Sequence, residues 1–178
     1  DHSVLCVLAT SLGLGLLHLG TDGAGSLRIP AAFTGVFGMK PSFGRVPVYP
    51  AVLLGVLSHH GPIARSVADA ALMLNVIAQP DWRDWFALPP TAEDYLKDID
   101  KGGAKGLRIA FSRNLGGHKV MPEVKRLVDQ AVKALGALGA AFIDADPIMT
   151  PHADATAVGR AHTILGLVLL AGFPPAAL

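Results

Sequence analysis

Ser26 stands in a glycine-rich stretch whose residue types are suited to acyl transfer. The stretch runs from Gly20 to Pro30 and contains the small residues Gly23, Ala24 and Gly25. A turn of such residues can direct several unpaired backbone N–H groups at one point, where they would stabilise an oxyanion formed by attack of the serine hydroxyl. On spacing alone two other interpretations stay open: a turn that caps a helix and a turn that binds phosphate.

A longer pattern around this stretch resembles the core signature of the amidase signature family of serine hydrolases. The matching segments read GTDGAGSLRIPA at 20–31 and FTGVFGMKPSFGR at 33–45, and the similarity continues through GPIARSVADAA at 61–71 to about residue 147. The resemblance implies an α/β fold, a partial α/β/α sandwich around a mixed, largely parallel sheet. It also implies hydrolysis of a carboxylic amide through a serine acyl-enzyme.

The resemblance assigns the role of nucleophile to Ser26. It assigns oxyanion donation to four consecutive backbone amides, those of Gly23, Ala24, Gly25 and Ser26. Ala24 stands where the family usually has glycine, and a backbone with negative φ would tolerate it.

Three further residues match positions that flank the nucleophile and support its loop, namely Thr21, Asp22 and Arg28. We expect Asp22 and Arg28 to form an ion pair or hydrogen bonds that hold the loop, without proton transfer. The alternative for this pair is a surface contact that contributes little to stability.

In the family, the base is a lysine that acts through a second serine about two dozen residues before the nucleophile. In this sequence no lysine precedes Lys40, which matches a structural position of the family. Ser3 is the hydroxyl nearest to the place of the second serine and is therefore the candidate bridging serine. Because a serine without a base is a poor nucleophile, we expect the 178 residues alone to hydrolyse amides very weakly or not at all.

Composition narrows the class of protein. The chain is 51% hydrophobic and only 16% charged, below the roughly 25% usual for soluble domains, which indicates surfaces that another chain covers. We expect that cover to be a second copy or the remainder of an amidase chain truncated before Asp1. A net charge of +1 gives no reason to expect direct contact with nucleic acid or an anionic membrane.

The residues that could hold a metal or mark a compartment are few. Cys6 is the only cysteine, so the chain has no internal disulfide. His59 and His60 are adjacent, and on an extended segment they would point to opposite faces and make a poor metal pair. The apolar run at 4–19 is short for a membrane span and follows no basic segment of the kind that precedes a signal sequence. We therefore predict a cytoplasmic protein without metal or cofactor, acting on a small-molecule amide.

The first half of the sequence predicts two helices and a loop. Residues 4–16 are apolar on all sides, which predicts a helix capped by Ser3 and buried in an interior. A short helical turn is expected at 31–33, after Pro30. The irregular apolar residues at 46–57 predict a loop over a cleft.

Later residues set the fold class. Ser66 is the predicted cap of a core-packing helix over 67–78. Strands at 107–112 and 141–143, joined by an amphipathic helix that starts at Pro122, predict parallel strands and an α/β fold. We treat 1–178 as one partial amidase-signature domain, family-like over about 17–147 and divergent at 1–16 and 151–178.

Three functions from different classes follow. The first is the central part of an amidase, and the second is the A-type subunit of a glutamine-dependent tRNA amidotransferase. The third is a remnant without catalytic activity, including a turn that only binds phosphate. The order Gly20-Thr21-Asp22 favours the stand-alone amidases over the amidotransferase.

Overall fold

The computed structural model describes residues 2–52, 55–97 and 99–146, which fall into two compact units. The unit before residue 100 contains α1 (His2–Ser11), β1 (Leu17–Asp22), α2 (Arg28–Thr34), β2 (Phe37–Gly38), β3 (His59–Ala64) and α3 (Val67–Ile77). The unit after residue 99 contains β4 (Arg108–Phe111), α4 (Pro122–Ala137) and β5 (Ala141–Asp144). The divergent end expected at 151–178 lies outside the described residues.

The strand β3 lies at the centre of a three-stranded antiparallel sheet, between β1 and β2. Its register with β1 places Thr21 opposite His60 and Asp22 opposite His59. This pairing therefore brings two histidines beside the strand that leads into the glycine-rich turn.

Helices cover both faces of this sheet. One hydrophobic cluster joins α1, α2 and β3 through Val7, Leu27, Ala31, Val36 and Ile63. Gly38 permits this packing, because an added Cβ would lie 2.8 Å from side-chain atoms of Ala31 and Leu27. The next residue, Met39, points to the opposite face and packs against a second cluster that contains Leu74 of α3. The layers confirm the predicted partial α/β/α sandwich.

The helix α1 is shorter and less buried than the sequence predicts. The chain turns at Gly13, whose φ is +73°, and so the helix does not continue to residue 16. Only one face is buried, through Ser3, Val7 and Thr10. Leu5 and Leu12 remain 68% and 72% exposed. The prediction of a fully buried helix is wrong for the described residues, because only one side of α1 meets the sheet and α2.

The helix α3 begins where the sequence predicts. The Oγ of Ser66 accepts a hydrogen bond of 3.1 Å from the backbone N–H of Asp69, and the Ser66 hydroxyl donates to the Asp69 carboxylate at 2.7 Å. The second bond differs from a standard capping box, in which the acidic side chain would accept from the cap's own N–H.

We expect Ser66→Ala to lower the free energy of unfolding by about 1 kcal/mol, because the N–H of Asp69 loses its acceptor. Urea denaturation followed by circular dichroism measures this change. Ser11→Ala is the matched control: the Ser11 hydroxyl bonds the Leu8 carbonyl at the exposed end of α1, and its removal should change stability by less than about 0.5 kcal/mol. Equal effects of the two variants would contradict the capping role of Ser66.

The second unit is a strand–helix–strand element. β4 and β5 pair in parallel, with Arg108 opposite Ala141, and α4 connects them. Pro122 occupies the first turn of α4, where its missing N–H costs no intrahelical bond. The parallel pairing confirms the predicted α/β class, while the sheet of the first unit is antiparallel.

In the part of the chain that the structure describes, no helix is both long enough and apolar enough to cross a membrane.

Candidate active site

The glycine-rich turn joins the end of β1 to the start of α2, and the Asp22 carboxylate holds it. Both Asp22 and Arg28 are almost fully buried, at 0% and 4% exposure. Arg28 binds the carboxylate with two nitrogens, Nε to Oδ2 at 2.7 Å and Nη2 to Oδ1 at 2.9 Å. This geometry matches the planar fork of a guanidinium to a carboxylate.

Two backbone amides complete the coordination of Asp22. The N–H of Gly25 donates to Oδ1 at 2.7 Å, and the N–H of Arg28 donates to Oδ2 at 3.3 Å. Burial by itself would raise the pKa of Asp22, but the hydrogen bonds and charge of Arg28, with the two amides, hold that pKa below its ordinary value. The carboxylate is therefore ionised and acts as a structural anchor, not as an acid.

The backbone at Gly25 requires glycine. Its φ is +108°, a region that side chains with a Cβ rarely adopt, and an added Cβ would lie 2.6 Å from Cδ1 of Ile29. Ala24 is not among the described residues with positive φ, so its methyl group introduces no backbone strain in the turn.

The hydroxyl of Ser26 is half-buried and donates to the carbonyl oxygen of Thr21 at 2.8 Å. Ser3 contacts the same residue from α1: its Oγ accepts from the Thr21 N–H at 2.9 Å and lies 3.2 Å from both the carbonyl oxygen and Oγ1 of Thr21. Ser3 lies inside α1 and does not cap it as predicted, because its side chain is bound to β1. Thr21 thus brings both candidate serines to one peptide unit.

Among the described residues, the amides of Gly23, Ala24 and Ser26 donate no hydrogen bond, whereas the Gly25 amide is bound to Asp22. This arrangement differs from the expectation of four oxyanion donors, because a charged carboxylate lies within reach of Gly25.

Lys40 follows β2 and lies near the Asp22–Arg28 pair. Burial and the positive charge of Arg28 lower the pKa of Lys40, partly offset by the charge of Asp22. The structural role expected for Lys40 stays a prediction.

The two histidines of β3 differ in their contacts. Nδ1 of His59 lies 3.0 Å from the carbonyl oxygen of Leu57, whereas Nδ1 of His60 is buried and has no hydrogen-bond partner among the described residues. Burial lowers the pKa of both rings, and the neighbouring His2 and His59 lower that of His60 further. No spacing in the sequence indicates that His60 lies opposite Thr21, since this follows from the strand register alone.

Within residues 2–52, 55–97 and 99–146, no group of three or more histidine, cysteine or acidic side chains is arranged to hold a metal ion.

Comparison with known proteins places the chain in a family. The family model described as Amidase matches residues 8–164. An acylamidase of Rhodococcus erythropolis is 44% identical over 142 residues, which cover 78% of this chain and 29% of the acylamidase. The A-type subunit of the glutamyl-tRNA(Gln) amidotransferase from Ligilactobacillus salivarius is 39% identical over 145 residues, covering 81% of this chain and 29% of that protein.

A similar solved structure comes from the same family as these relatives. The crystal structure of a bacterial aryl acylamidase of the amidase signature family superposes with a TM-score of 0.74 at 32% identity, covering 89% of this chain and 33% of that protein. The chain therefore spans about a third of the length of the relatives that it matches.

Proposed function

The chain belongs to the amidase family, and on that premise we propose that it carries the nucleophile of an enzyme that hydrolyses carboxylic amides. Ser26 attacks the carbonyl carbon, the C–N bond breaks, and ammonia or an amine departs. The acyl group stays bound to Ser26 as an acyl-enzyme, which water then hydrolyses. The backbone amides of Gly23, Ala24 and Ser26 stabilise the oxyanion. Each such donor contributes roughly 2.7–4 kcal/mol to transition-state stabilisation.

One observation supports this proposal above the others. Ser26 and three amides without partners among the described residues share a single turn. The buried pair of Asp22 and Arg28 holds that turn in place. Donors that are fixed before the reaction need no reorganisation when charge develops, which is the requirement of an oxyanion site.

Ser26 still needs a base. Its hydroxyl donates to the Thr21 carbonyl, and a carbonyl oxygen cannot carry the proton away. Ser3 lies against the same carbonyl, so we propose that Ser3 relays the proton of Ser26 to a base outside these 178 residues. Without that base, only the residual catalysis of the oxyanion site and of binding remains.

We expect a fluorophosphonate probe to label the chain slowly at Ser26 and to leave Ser26→Ala unlabelled. Mass spectrometry of the intact protein and of its peptides measures the labelling. Ser42→Ala is the control, because Ser42 is also a serine of the same unit but lies outside the turn, and it should label like the wild type. Labelling that persists in Ser26→Ala would exclude Ser26 as the nucleophile.

A separate measurement tests the expected weak amide hydrolysis by the isolated chain. Hydrolysis of a p-nitroanilide should give no burst of product, since the described residues place no base in contact with Ser26. A burst that is lost in Ser26→Ala would show that the 178 residues already contain a sufficient base.

A glutamine-dependent amidotransferase subunit is the second candidate, favoured by the 39% identity with the Ligilactobacillus salivarius protein. Release of ammonia from glutamine only when partner proteins are added would support it. Binding of an anion in the turn, with no labelling of Ser26, would instead support a remnant without catalytic activity.

The cytoplasmic location remains a prediction. So does the expectation that a second copy or the rest of an amidase chain covers the apolar surfaces.

A further inference from the structure

The first unit contains a buried ring nitrogen that the proposed chemistry does not use. Nδ1 of His60 has no hydrogen-bond partner among the described residues. A neutral imidazole uses only one of its two nitrogens as a donor, so the ring can leave Nδ1 as an unsatisfied acceptor. A protonated imidazole carries an N–H on both nitrogens. The buried Nδ1 would then be a charged donor without an acceptor, which costs more than an unsatisfied neutral group.

His60 lies near one end of the pairing between β1 and β3. Its register partner is Thr21, whose N–H donates to Ser3 at 2.9 Å and therefore not to β3. His60 and Thr21 thus form a pair without sheet hydrogen bonds between them, in which the side chains approach closely. Both strands stop nearby, since β3 begins at His59 and β1 ends at Asp22. Strand ends open at a lower free energy than strand centres.

The ionisable groups around His60 oppose a positive charge on its ring. Among the described residues, the groups that act on it are His2 from α1 and His59 from β3, both of which are bases, and none lies on α3. Asp22 at the end of β1 and Lys40 after β2 act on His59 but are not among the groups that shift His60. Burial, followed by the two histidines, lowers the pKa of His60.

The direction of the pH response follows from this lowered pKa. The folded chain keeps His60 neutral at a pH where the unfolded chain, with the ordinary pKa of 6.5, already binds the proton. The stability that depends on the neutral ring is therefore complete above about pH 6.5 and is lost as the pH falls below it, towards the lower pKa of the folded state. Each pH unit in that interval lowers the folding equilibrium constant by up to about tenfold.

An opening at His60 would reach the glycine-rich turn directly. The carbonyl of Thr21 accepts the hydroxyl of Ser26 at 2.8 Å, and Ser3 binds the N–H of the same residue. Water admitted beside the charged ring would compete for these hydrogen bonds, because protein–protein and protein–water bonds differ little in net free energy. The protonation state of His60 thus acts on the residue that holds both candidate serines.

We propose that His60 is an acid-sensitive contact between β3 and β1, whose protonation opens the end of the strand pair at Thr21 and releases the start of the glycine-rich turn. The pair is closed near neutral pH and opens in mildly acidic solution. This response does not depend on the amidase function, because it follows from the packing of the two strands alone.

Hydrogen exchange followed by mass spectrometry tests the proposal on the full chain. In peptides that contain β1 and β3, protection should fall between about pH 7.5 and about pH 5.5 by roughly threefold to tenfold more in the wild type than in His60→Phe. Phenylalanine keeps a ring at this position but cannot take up a proton. Comparison of both proteins at the same pH cancels the intrinsic pH dependence of exchange. Peptides of β4 and β5, in the second unit, are the internal control and should change equally in both proteins.

His118→Phe is the matched control variant. His118 is exposed and belongs to the second unit, so this variant should keep the wild-type response of β1 and β3. If His60→Phe does not fold, His60→Gln also removes the titrating group and provides the same test.

The outcomes separate the acid response from the amidase chemistry. An equal fall of β1 and β3 protection in the wild type and His60→Phe, or an equal reduction of that fall by His118→Phe, would overturn the proposal even where Ser26 is labelled by the fluorophosphonate. A fall that only the substitution of His60 reduces, with no labelling of Ser26 in the wild type, would support the acid response and reject the amidase function.

Discussion

Asp22→Asn is expected to lower the free energy of unfolding by about 3–5 kcal/mol, which is the usual cost of removing one partner from a buried ion pair. The guanidinium of Arg28, 4% exposed, would lose the negative charge of Asp22 while it stays buried. The variant would also present an amide group to the N–H groups of Gly25 and Arg28, which now share a charged acceptor. Urea denaturation measures the difference.

The matched control is Asp81→Asn. Asp81 also pairs with an arginine, Arg83, at 2.6 Å, but that arginine is 48% exposed. Water and salt screen such a pair, so its loss should change stability little. A second test is the double variant Asp22→Asn with Arg28→Met, which should recover part of the loss because no buried charge remains. If Asp22→Asn costs no more than Asp81→Asn, the pair does not anchor the turn.

The contribution of Asp22 should depend on pH in a defined direction. Its pKa is lower in the folded chain than in the unfolded chain, so the folded state binds its proton less readily. The stabilisation is therefore complete above the unfolded pKa of about 3.9 and is lost as the pH falls through the lower folded value. The difference in unfolding free energy between wild type and Asp22→Asn should shrink below about pH 4.

The second unit and the start of α3 show what local sequence can predict. Helical spacing of the apolar residues and Pro122 place α4, and the flanking apolar runs place β4 and β5. These signals act over a few residues, where backbone geometry and burial of one face decide the structure. The same holds for Ser66, whose capping contact reaches only to Asp69.

The contacts that complete the candidate site could not be predicted in this way. Ser3 reaches Thr21 across 18 positions of the chain, and His60 reaches it only through the register of β1 with β3. A strand register depends on the packing of the whole sheet, and a shift of one residue would move His60 to the opposite face. The exposure of α1 also depends on contacts that are distant in the sequence. The composition of α1 predicts burial, but the number of neighbouring elements decides how many of its faces are covered.

Gly25→Ala is expected to slow the labelling of Ser26 by at least tenfold and to destabilise the chain by about 1–3 kcal/mol. The alanine would have to hold a φ of +108° and place its Cβ against Ile29. The easiest relaxation is a rotation of the neighbouring peptides. Such a rotation would change the directions of the amides of Ala24 and Ser26 and release the Gly25 amide from Asp22.

Gly35→Ala is the control that separates strain from active-site geometry. Gly35 caps α2 with a φ of +70°, and an added Cβ there would meet no atom within 4 Å. It should cost about 1–2 kcal/mol for the left-handed backbone and leave the labelling rate unchanged under conditions in which both variants are folded. In the double variant Gly25→Ala with Ile29→Ala, the contact with the side chain is relieved but φ is not. If that variant labels at the wild-type rate, crowding against Ile29 rather than the backbone conformation is what constrains position 25; if it remains slow, the left-handed peptide itself positions the donors beside Ser26.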